Sequence, residues 1–182
     1  MVPEASALGM IAVIRSLGRA GYQVHACSSD ASALGLRSSF AIQSAVHPPY
    51  SDPGFLPWLS RYLKTNNVDA IVPSEGFLIV VRPVFNEIRS LLTIGPDEET
   101  VYRCFSKHEV LEQFVNASSA SGLQENLPPS FLWKPGLPVP EAHNLERLGL
   151  PLFIKADGVH AVSDGTSTVV RAETAEEAAE AV

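Results

Sequence analysis

The sequence predicts an α/β protein in which a mainly parallel sheet flanked by helices is followed by the start of a smaller α+β unit. Short β-branched strands alternate with helical apolar spacing as far as residue 95, which is typical of a parallel sheet. From residue 96 onward the pattern changes to two polar helices and a late pair of strands. The length of 182 residues suits one domain and part of a second. We therefore divide the chain into a first unit over residues 1–95, a helical bridge over 96–124 and a second unit over 125–182.

The first unit opens with a helix that has no strand in front of it. Apolar residues recur with helical spacing over Ala5–Ala20, and Gly21 ends the pattern. Tyr22–Cys27 then reads as a short buried strand. Residues 1–4 are too few to supply the strand that should precede this helix in a βαβ unit. We expect the first strand to be missing and the chain to be the front part of a longer protein.

The rest of the first unit alternates between strands and helices. Phe40–Val46 is typical of a strand, and four prolines make residues 47–57 a loop. The following predicted elements are a helix Phe55–Lys64, a strand Val68–Val72 ended by Pro73, a helix from Glu75 that breaks at Pro83 and resumes over Val84–Leu91, and a strand Leu92–Ile94.

The second part of the chain predicts helices first and strands later. Its elements are the helices Glu98–Phe105 and Lys107–Ala117, a proline-rich linker Leu127–Pro140, the antiparallel strands Leu152–Lys155 and Thr166–Arg171, and a helix from Ala175. This order places a small two-stranded unit apart from the first sheet.

Composition excludes several classes of protein. Hydrophobic residues make up 46% of the chain and charged residues 18%, which favours a folded protein. A net charge of -7 argues against a nucleic-acid binder, which usually carries a basic face. No apolar run is long enough for a membrane span and no signal peptide opens the chain, so a cytoplasmic protein is expected. Cys27 and Cys104 show no metal-binding spacing. The sequence is also compatible with a homodimer.

Two of the four lysines occupy positions where a positive charge is unfavourable unless water or an anion compensates it. Lys155 ends an apolar strand, where its charge requires either an exit to water or an anionic partner. Lys107 opens a helix and faces the positive end of the helix dipole, a cost that a ligand phosphate would offset. Ser106 and Glu109 also form a capping-box pattern, which needs no ligand. Spacing alone leaves both interpretations open.

The loop after Lys155 is rich in small polar residues, among them Ser163, Gly165 and Thr166. Glycines allow close approach of the backbone, and hydroxyls with N–H groups can bind phosphate oxygens. The same composition is common at the tip of an ordinary hairpin. The loop is therefore a candidate phosphate site with a structural alternative.

Two acidic residues follow predicted strands of the first unit. Glu75 comes after Val68–Val72, and ligands of open α/β sheets gather beyond the carboxyl ends of strands, so Glu75 is a candidate substrate-binding residue. An acidic residue in the first turn of a helix is also favoured by the helix dipole alone. Asp30 stands where a dinucleotide fold keeps its ribose-binding acid, but no G-x-G-x-x-G precedes the first helix.

The order of several motifs resembles the front part of ATP-grasp proteins, the group that includes the carbamoyl-phosphate synthetase large chain, biotin carboxylase and many carboxylate–amine ligases. These motifs are "ALGMIAVIRSLGRAGYQVHAC", "DAIVPSEG", "FSKHEVLEQF", "LPPS", "PLFIKADG" and "SDGTSTVVRAETAEEAAEAV". The resemblance covers nearly the whole chain. It implies a Rossmann-like pre-ATP-grasp domain, followed by the start of the small lobe that closes over ATP.

The resemblance also implies a function and a set of site residues. Lys107 and Lys155 match the family lysines that contact ATP phosphates, and Ser163, Gly165 and Thr166 fall in the loop that covers them. The implied reaction activates a carboxylate as an acyl phosphate, which an amine then attacks. The cofactors are ATP and Mg²⁺, and the metal ligands are expected in a part of the protein that follows Val182.

Two other functions stay open from the sequence. One is a dinucleotide-binding reductase module, which would need a strand and a glycine turn before the first helix. The other is a non-catalytic partner-binding domain with a decayed ATP site, because Ser106 replaces the usual acidic residue and the cover loop is poor in glycine.

Overall fold

The computed structural model describes residues 1–118, 127–134, 136–155 and 169–181. It is a mixed helix-and-strand protein that divides into two compact units, Met1–Glu98 and Glu99–Val182. Within the described ranges, no helix is both long enough and apolar enough to cross a membrane.

The first unit contains two named strands, four α-helices and three short 3-10 turns. In chain order these are α1 (Leu8–Arg19), β1 (His25–Ser28), a 3-10 turn (Leu34–Arg37), β2 (Gln43–Val46), α2 (Phe55–Thr65), α3 (Glu75–Val80), a 3-10 turn (Arg82–Val84), α4 (Phe85–Ile88) and a 3-10 turn (Arg89–Leu91). The predicted break at Pro83 is confirmed, since this proline lies in the turn between α3 and α4.

The second unit follows with shorter elements. They are α5 (Glu98–Arg103), which begins at the last residue of the first unit, α6 (Lys107–Ser118), α7 (Ala142–Glu146), β3 (Leu152–Lys155), β4 (Val169–Ala172) and α8 (Ala175–Glu180). Helix α7, which follows the proline-rich linker, is not among the elements that the sequence predicts. The predicted antiparallel pairing of the two late strands is confirmed, with Leu152 opposite Ala172 and Lys155 opposite Val169.

Parallel pairing organises the first unit. β1 and β2 pair in parallel, with His25 opposite Gln43 and Ser28 opposite Val46. The predicted strands Val68–Val72 and Leu92–Ile94 are reduced to one parallel bridge between Ile71 and Leu92. Pro73, which has no N–H, immediately follows the first of these segments, so it cannot extend the ladder.

The first residues of the chain do pair with β1, although residues 1–4 are too few to be predicted as a strand. The N–H of Val2 donates to the carbonyl of His25 at 2.8 Å, and the N–H of Cys27 donates to the carbonyl of Val2 at 2.9 Å. On its other side this segment bonds to the Ala70–Val72 segment, because the N–H of Val72 donates to the carbonyl of Met1 at 3.0 Å. Two residues are enough here because their backbone groups are paired on both sides.

The start of α1 follows from the same pairing. The expected helix over Ala5–Ala20 begins only at Leu8, because the N–H of Ala5 donates to the carbonyl of Cys27 at 2.8 Å. Ala5 therefore extends the pairing with β1 and cannot take part in the first helical turn. The helix then packs its buried residues Ile11 and Ile14 inward.

One core cluster lies between α1 and the segments that it covers. Its fully buried members are Val2, Ala5, Ile14, Val24 and Ala26. A second buried group is aromatic and surrounds α2, where Phe55 and Phe77 are 1% and 0% exposed and meet edge to face. Trp58 stacks on Tyr62 in the same group, with ring centroids 4.8 Å apart.

In the second unit, α7 and α8 cover a single face of the β3–β4 pair. Leu145, Ala172, Ala175 and Ala178 form a buried cluster, against which Leu152 and Ile154 also pack. Thr174 caps α8, accepting a hydrogen bond from the N–H of Glu177 at 3.2 Å. Short elements with small side chains thus bury one side of a two-stranded sheet.

Two glycines of α1 should respond in opposite ways to alanine. At Gly18 a Cβ would overlap with the backbone carbonyl of Phe40, so Gly18→Ala should destabilise the protein by about 1–3 kcal/mol. At Gly9 no atom lies within 4 Å of the added Cβ, so Gly9→Ala should stabilise by about 0.5–1 kcal/mol through helix propensity. Urea unfolding of both variants measures the difference. A stabilising Gly18→Ala would contradict the close approach of α1 to Phe40.

Candidate functional site

Lys155 is the last residue of β3, and the alternation of the strand decides where it lies. Leu152 and Ile154 are partly buried toward α7 and α8, whereas Phe153 and Lys155 are exposed on the opposite side. Phe153 is 59% exposed, which is unusual for an aromatic residue in a strand. The side chain of Lys155 therefore belongs to the side of the hairpin that these two helices do not cover.

The uncovered side, which we call the open face, is formed by Phe153, Lys155, Val169 and Arg171. The register places Lys155 opposite Val169 and Phe153 opposite Arg171. Arg171 contacts Glu173 at 2.9 Å, but both side chains are more than half exposed, so this pair contributes little stability. Lys155 makes no ion pair with any residue that the structure describes. The open face thus combines an aromatic ring, an aliphatic side chain and two cations.

Lys107 is the first residue of α6 and is exposed. The predicted cap is present, since the Ser106 hydroxyl accepts a hydrogen bond from the N–H of Glu109 at 3.0 Å. In a full capping box the Glu109 carboxylate would accept a hydrogen bond from the N–H of Ser106. Here that N–H donates to the carbonyl of Arg103 at 3.0 Å instead. The Glu109 carboxylate instead accepts from Nε of Arg103 at 3.0 Å. Ser106 therefore caps the helix as a structural residue, and Lys107 follows it into the first turn.

The other predicted phosphate-binding residues, Ser163, Gly165 and Thr166, lie outside the described residues. Lys107 and Lys155 stand on separate elements of the second unit, and Glu75 belongs to the first unit. Glu75 is the exposed first residue of α3, directly after the cap residue Ser74, whose hydroxyl accepts from the N–H of Phe77 at 3.1 Å. Its position after a paired segment is the one that the sequence predicted.

A second acidic residue, which the sequence did not single out, lies beside the start of α3. Glu4 follows the Met1–Val2 segment with φ of 56°, in the left-handed region that few non-glycine residues adopt. Its carboxylate oxygen lies so close to Gly76 that a Cβ at position 76 would overlap with it. Two distant parts of the sequence, each a Val-Pro pair followed within two residues by glutamate, thus bring Glu4 and Glu75 to the same edge. This repeated Val-Pro pattern is the feature of the sequence from which the role of Glu4 could have been predicted.

Tyr50 and His47 complete this group. The hydroxyl of Tyr50 lies near the Glu4 carboxylate and the Ser74 hydroxyl, and burial, followed by the negative charge of Glu4, raises the pKa of Tyr50. The ring of His47 stacks on that of Tyr50 with centroids 5.3 Å apart and planes 8° apart. Burial lowers the pKa of His47, opposed by its hydrogen bond to Pro48 and by the charge of Glu4. We call Glu4, His47, Tyr50 and Ser74 the edge cluster.

Asp30, the candidate ribose-binding acid, is engaged locally. Its carboxylate accepts hydrogen bonds from the N–H and the hydroxyl of Ser32, both at 2.7 Å. These bonds lower the pKa of Asp30. The residue is accounted for by a turn in the loop after β1.

No family model matches the chain, and the curated proteins contain no significant match to it. The candidate sites therefore depend on the geometry described above. In the described parts of the chain, no three His, Cys, Asp or Glu side chains come together in a way that could hold a metal ion.

Replacement of the α6 cap should separate helix stability from ligand binding. Ser106→Ala removes the acceptor for the N–H of Glu109 and should lower the free energy of unfolding by about 1 kcal/mol. Chemical denaturation measures this change, and Ser106→Asp, which keeps an acceptor at the cap, is the matched control. A Ser106→Ala variant as stable as the parent would contradict a contribution of this cap to the stability of α6.

Proposed function

We propose that this chain is the front part of an ATP-dependent carboxylate–amine ligase of the ATP-grasp kind, acting in the cytoplasm. The observation that carries the proposal is the open face of the β3–β4 hairpin, which presents Lys155 beside Phe153, Val169 and Arg171. An aromatic and aliphatic surface suits a nucleotide base, and adjacent cations suit its phosphates. Lys155 ends an apolar strand, a position where a charge needs an anionic partner or water.

The order of paired segments in the first unit supports the same proposal. Backbone hydrogen bonds connect β2 to β1, β1 to Met1–Val2, Met1–Val2 to Ala70–Val72, and Ile71 to the Leu91–Thr93 segment. Counted along the chain this order is 3-2-1-4-5, which is the order of a Rossmann-like sheet. We propose that the first unit is the pre-ATP-grasp domain that the sequence resembles.

The proposed chemistry transfers the terminal phosphoryl group of ATP to a carboxylate oxygen of the substrate, releasing ADP. The nitrogen of an amine then attacks the acyl carbon, phosphate leaves, and the amine loses a proton to give an amide. In this scheme Lys107 and Lys155 offset negative charge on the phosphates, as preorganised cations do in phosphoryl transfer. Ser163, Gly165 and Thr166 are proposed to cover the phosphates.

Magnesium belongs to the proposal only through the resemblance. When bound, the ion would offset negative charge on the ATP phosphates. Glu75 is proposed to contact the substrate, because it follows the carboxyl end of the Ala70–Val72 segment, where ligands of open α/β sheets bind.

Removing the two lysine charges tests the proposal in the protein made from the complete reading frame. Lys155→Met and Lys107→Met keep side-chain length, and each should weaken ATP binding about ten- to a hundredfold, the effect of losing one charge-assisted hydrogen bond. Both side chains are exposed, so folding should be nearly unchanged. Isothermal titration with ATP measures the affinity.

Lys64→Met is the matched control, because Lys64 is an exposed residue in the last turn of α2 in the first unit. This variant should bind ATP as the parent does. ATP affinity unchanged in both Lys107→Met and Lys155→Met would end the ATP-grasp assignment and make the loop after β3 an ordinary hairpin.

A further inference from the structure

The edge cluster contains polar groups that the folded chain leaves without partners. The hydroxyl of Tyr50 and Nε2 of His47 are buried and have no hydrogen-bond partner among the described residues, and His47 is only 4% exposed. The Tyr50 hydroxyl lies near Glu4 and Ser74 but makes no well-formed hydrogen bond to either. Buried polar groups in proteins nearly always have a hydrogen-bond partner, so a buried group without one can indicate a missing ligand.

The hydrogen-bonding roles of these groups can be assigned. Nδ1 of His47 lies 2.7 Å from the carbonyl oxygen of Pro48, and a carbonyl can only accept, so Nδ1 carries the proton. In the neutral ring Nε2 is then an acceptor without a donor. The carboxylate of Glu4 can only accept as well. Two of these three groups are thus acceptors, and the Tyr50 hydroxyl can act as a third.

The charge of the cluster is uncompensated. No Lys or Arg forms an ion pair with Glu4 or Glu75 in the described part of the chain. Glu4 is half-buried, and a ligand cation would give its carboxylate an opposite charge to pair with. Its carboxylate lies beside Gly76, where a Cβ would overlap with it.

The place of the cluster in the fold is the usual place for a ligand. Glu4 follows the Met1–Val2 segment and Glu75 follows the Ala70–Val72 segment, and these two segments are neighbours in the proposed 3-2-1-4-5 order. In a doubly wound sheet of this order, ligands bind beyond the carboxyl ends of the strands at this point. The members of the edge cluster follow those ends.

We propose that Glu4, with Tyr50 behind it, binds the protonated amino group of a small-molecule substrate. An ammonium group brings a positive charge for the Glu4 carboxylate and three N–H donors for a set of acceptors. The half-buried carboxylate makes the ion pair, and the Tyr50 hydroxyl, which lies near that carboxylate, accepts a second hydrogen bond from the ammonium group. Glu75 adds a second negative charge at the same edge. The inference rests on the proposed function in one respect, which is that the bound amine is a substrate of the ligase.

A pair of matched probes tests the site without nucleotide. L-Alaninamide carries an ammonium group, whereas N-acetyl-L-alaninamide has the same backbone without it. The 182-residue chain is titrated with each probe at about pH 7, where the ammonium group is charged, and binding is followed through the amide resonance of Gly76, which contacts Glu4. L-Alaninamide should shift this resonance saturably, and the acetylated probe should not. An equal response to both probes, or no saturable response to L-alaninamide, overturns the proposal.

Charge removal at position 4 gives the second test. Glu4→Gln keeps the shape of the side chain and should weaken L-alaninamide binding at least about tenfold. Glu87→Gln is the control, since Glu87 is an exposed glutamate on α4 of the same unit, and it should leave binding unchanged. Affinity retained in Glu4→Gln, or lost equally in Glu87→Gln, overturns the site.

Tyr50→Phe keeps the test decisive if Glu4→Gln proves unstable. The variant removes a buried hydroxyl that has no partner among the described residues, so its melting temperature should equal or exceed that of the parent while affinity for L-alaninamide falls. A clear drop in melting temperature, or unchanged affinity, contradicts the assignment. These measurements involve no ATP, so an unaffected nucleotide affinity in the lysine variants would refute the ligase while leaving the amine site standing.

Discussion

The backbone pairing of Met1 and Val2 is the constraint on which the first unit depends. These residues bond to β1 on one side and to the Ala70–Val72 segment on the other, so they join two pairs of segments that would otherwise be separate. The same pairing delays the start of α1 to Leu8 and places Glu4 directly at the edge. Val2 is buried in the core cluster with Ala26 and Ile14, so hydrophobic packing holds the hydrogen bonds away from water.

Local patterns were enough to predict most elements of the chain. The helix over Phe55–Thr65 follows from its apolar spacing, the break at Pro83 from proline geometry, and the cap at Ser106 from side-chain chemistry. The β3–β4 pair followed from two short apolar runs around a polar loop. What failed was the role of residues 1–4, because their pairing depends on partners far away in the sequence and a two-residue segment has no periodicity to detect.

The candidate sites divide in the same way. Lys107, Lys155 and Glu75 could be selected from their positions at the ends of predicted elements, and the structure places each of them at such an end. The edge cluster could not be selected in that way, since Glu4, His47, Tyr50 and Ser74 come from three separate loops. Only the tertiary fold brings them together and shows which of their polar atoms lack partners among the described residues.

The contact between Glu4 and Gly76 has a consequence for how this protein can change over time. Because the carboxylate oxygen of Glu4 occupies the space that a Cβ at position 76 would need, any side chain there would displace that carboxylate. A larger residue at position 76 would therefore alter where the acid at position 4 can act, even if the protein still folds. The two sites are therefore expected to be epistatic, and the glycine preserves the acid by leaving room for it.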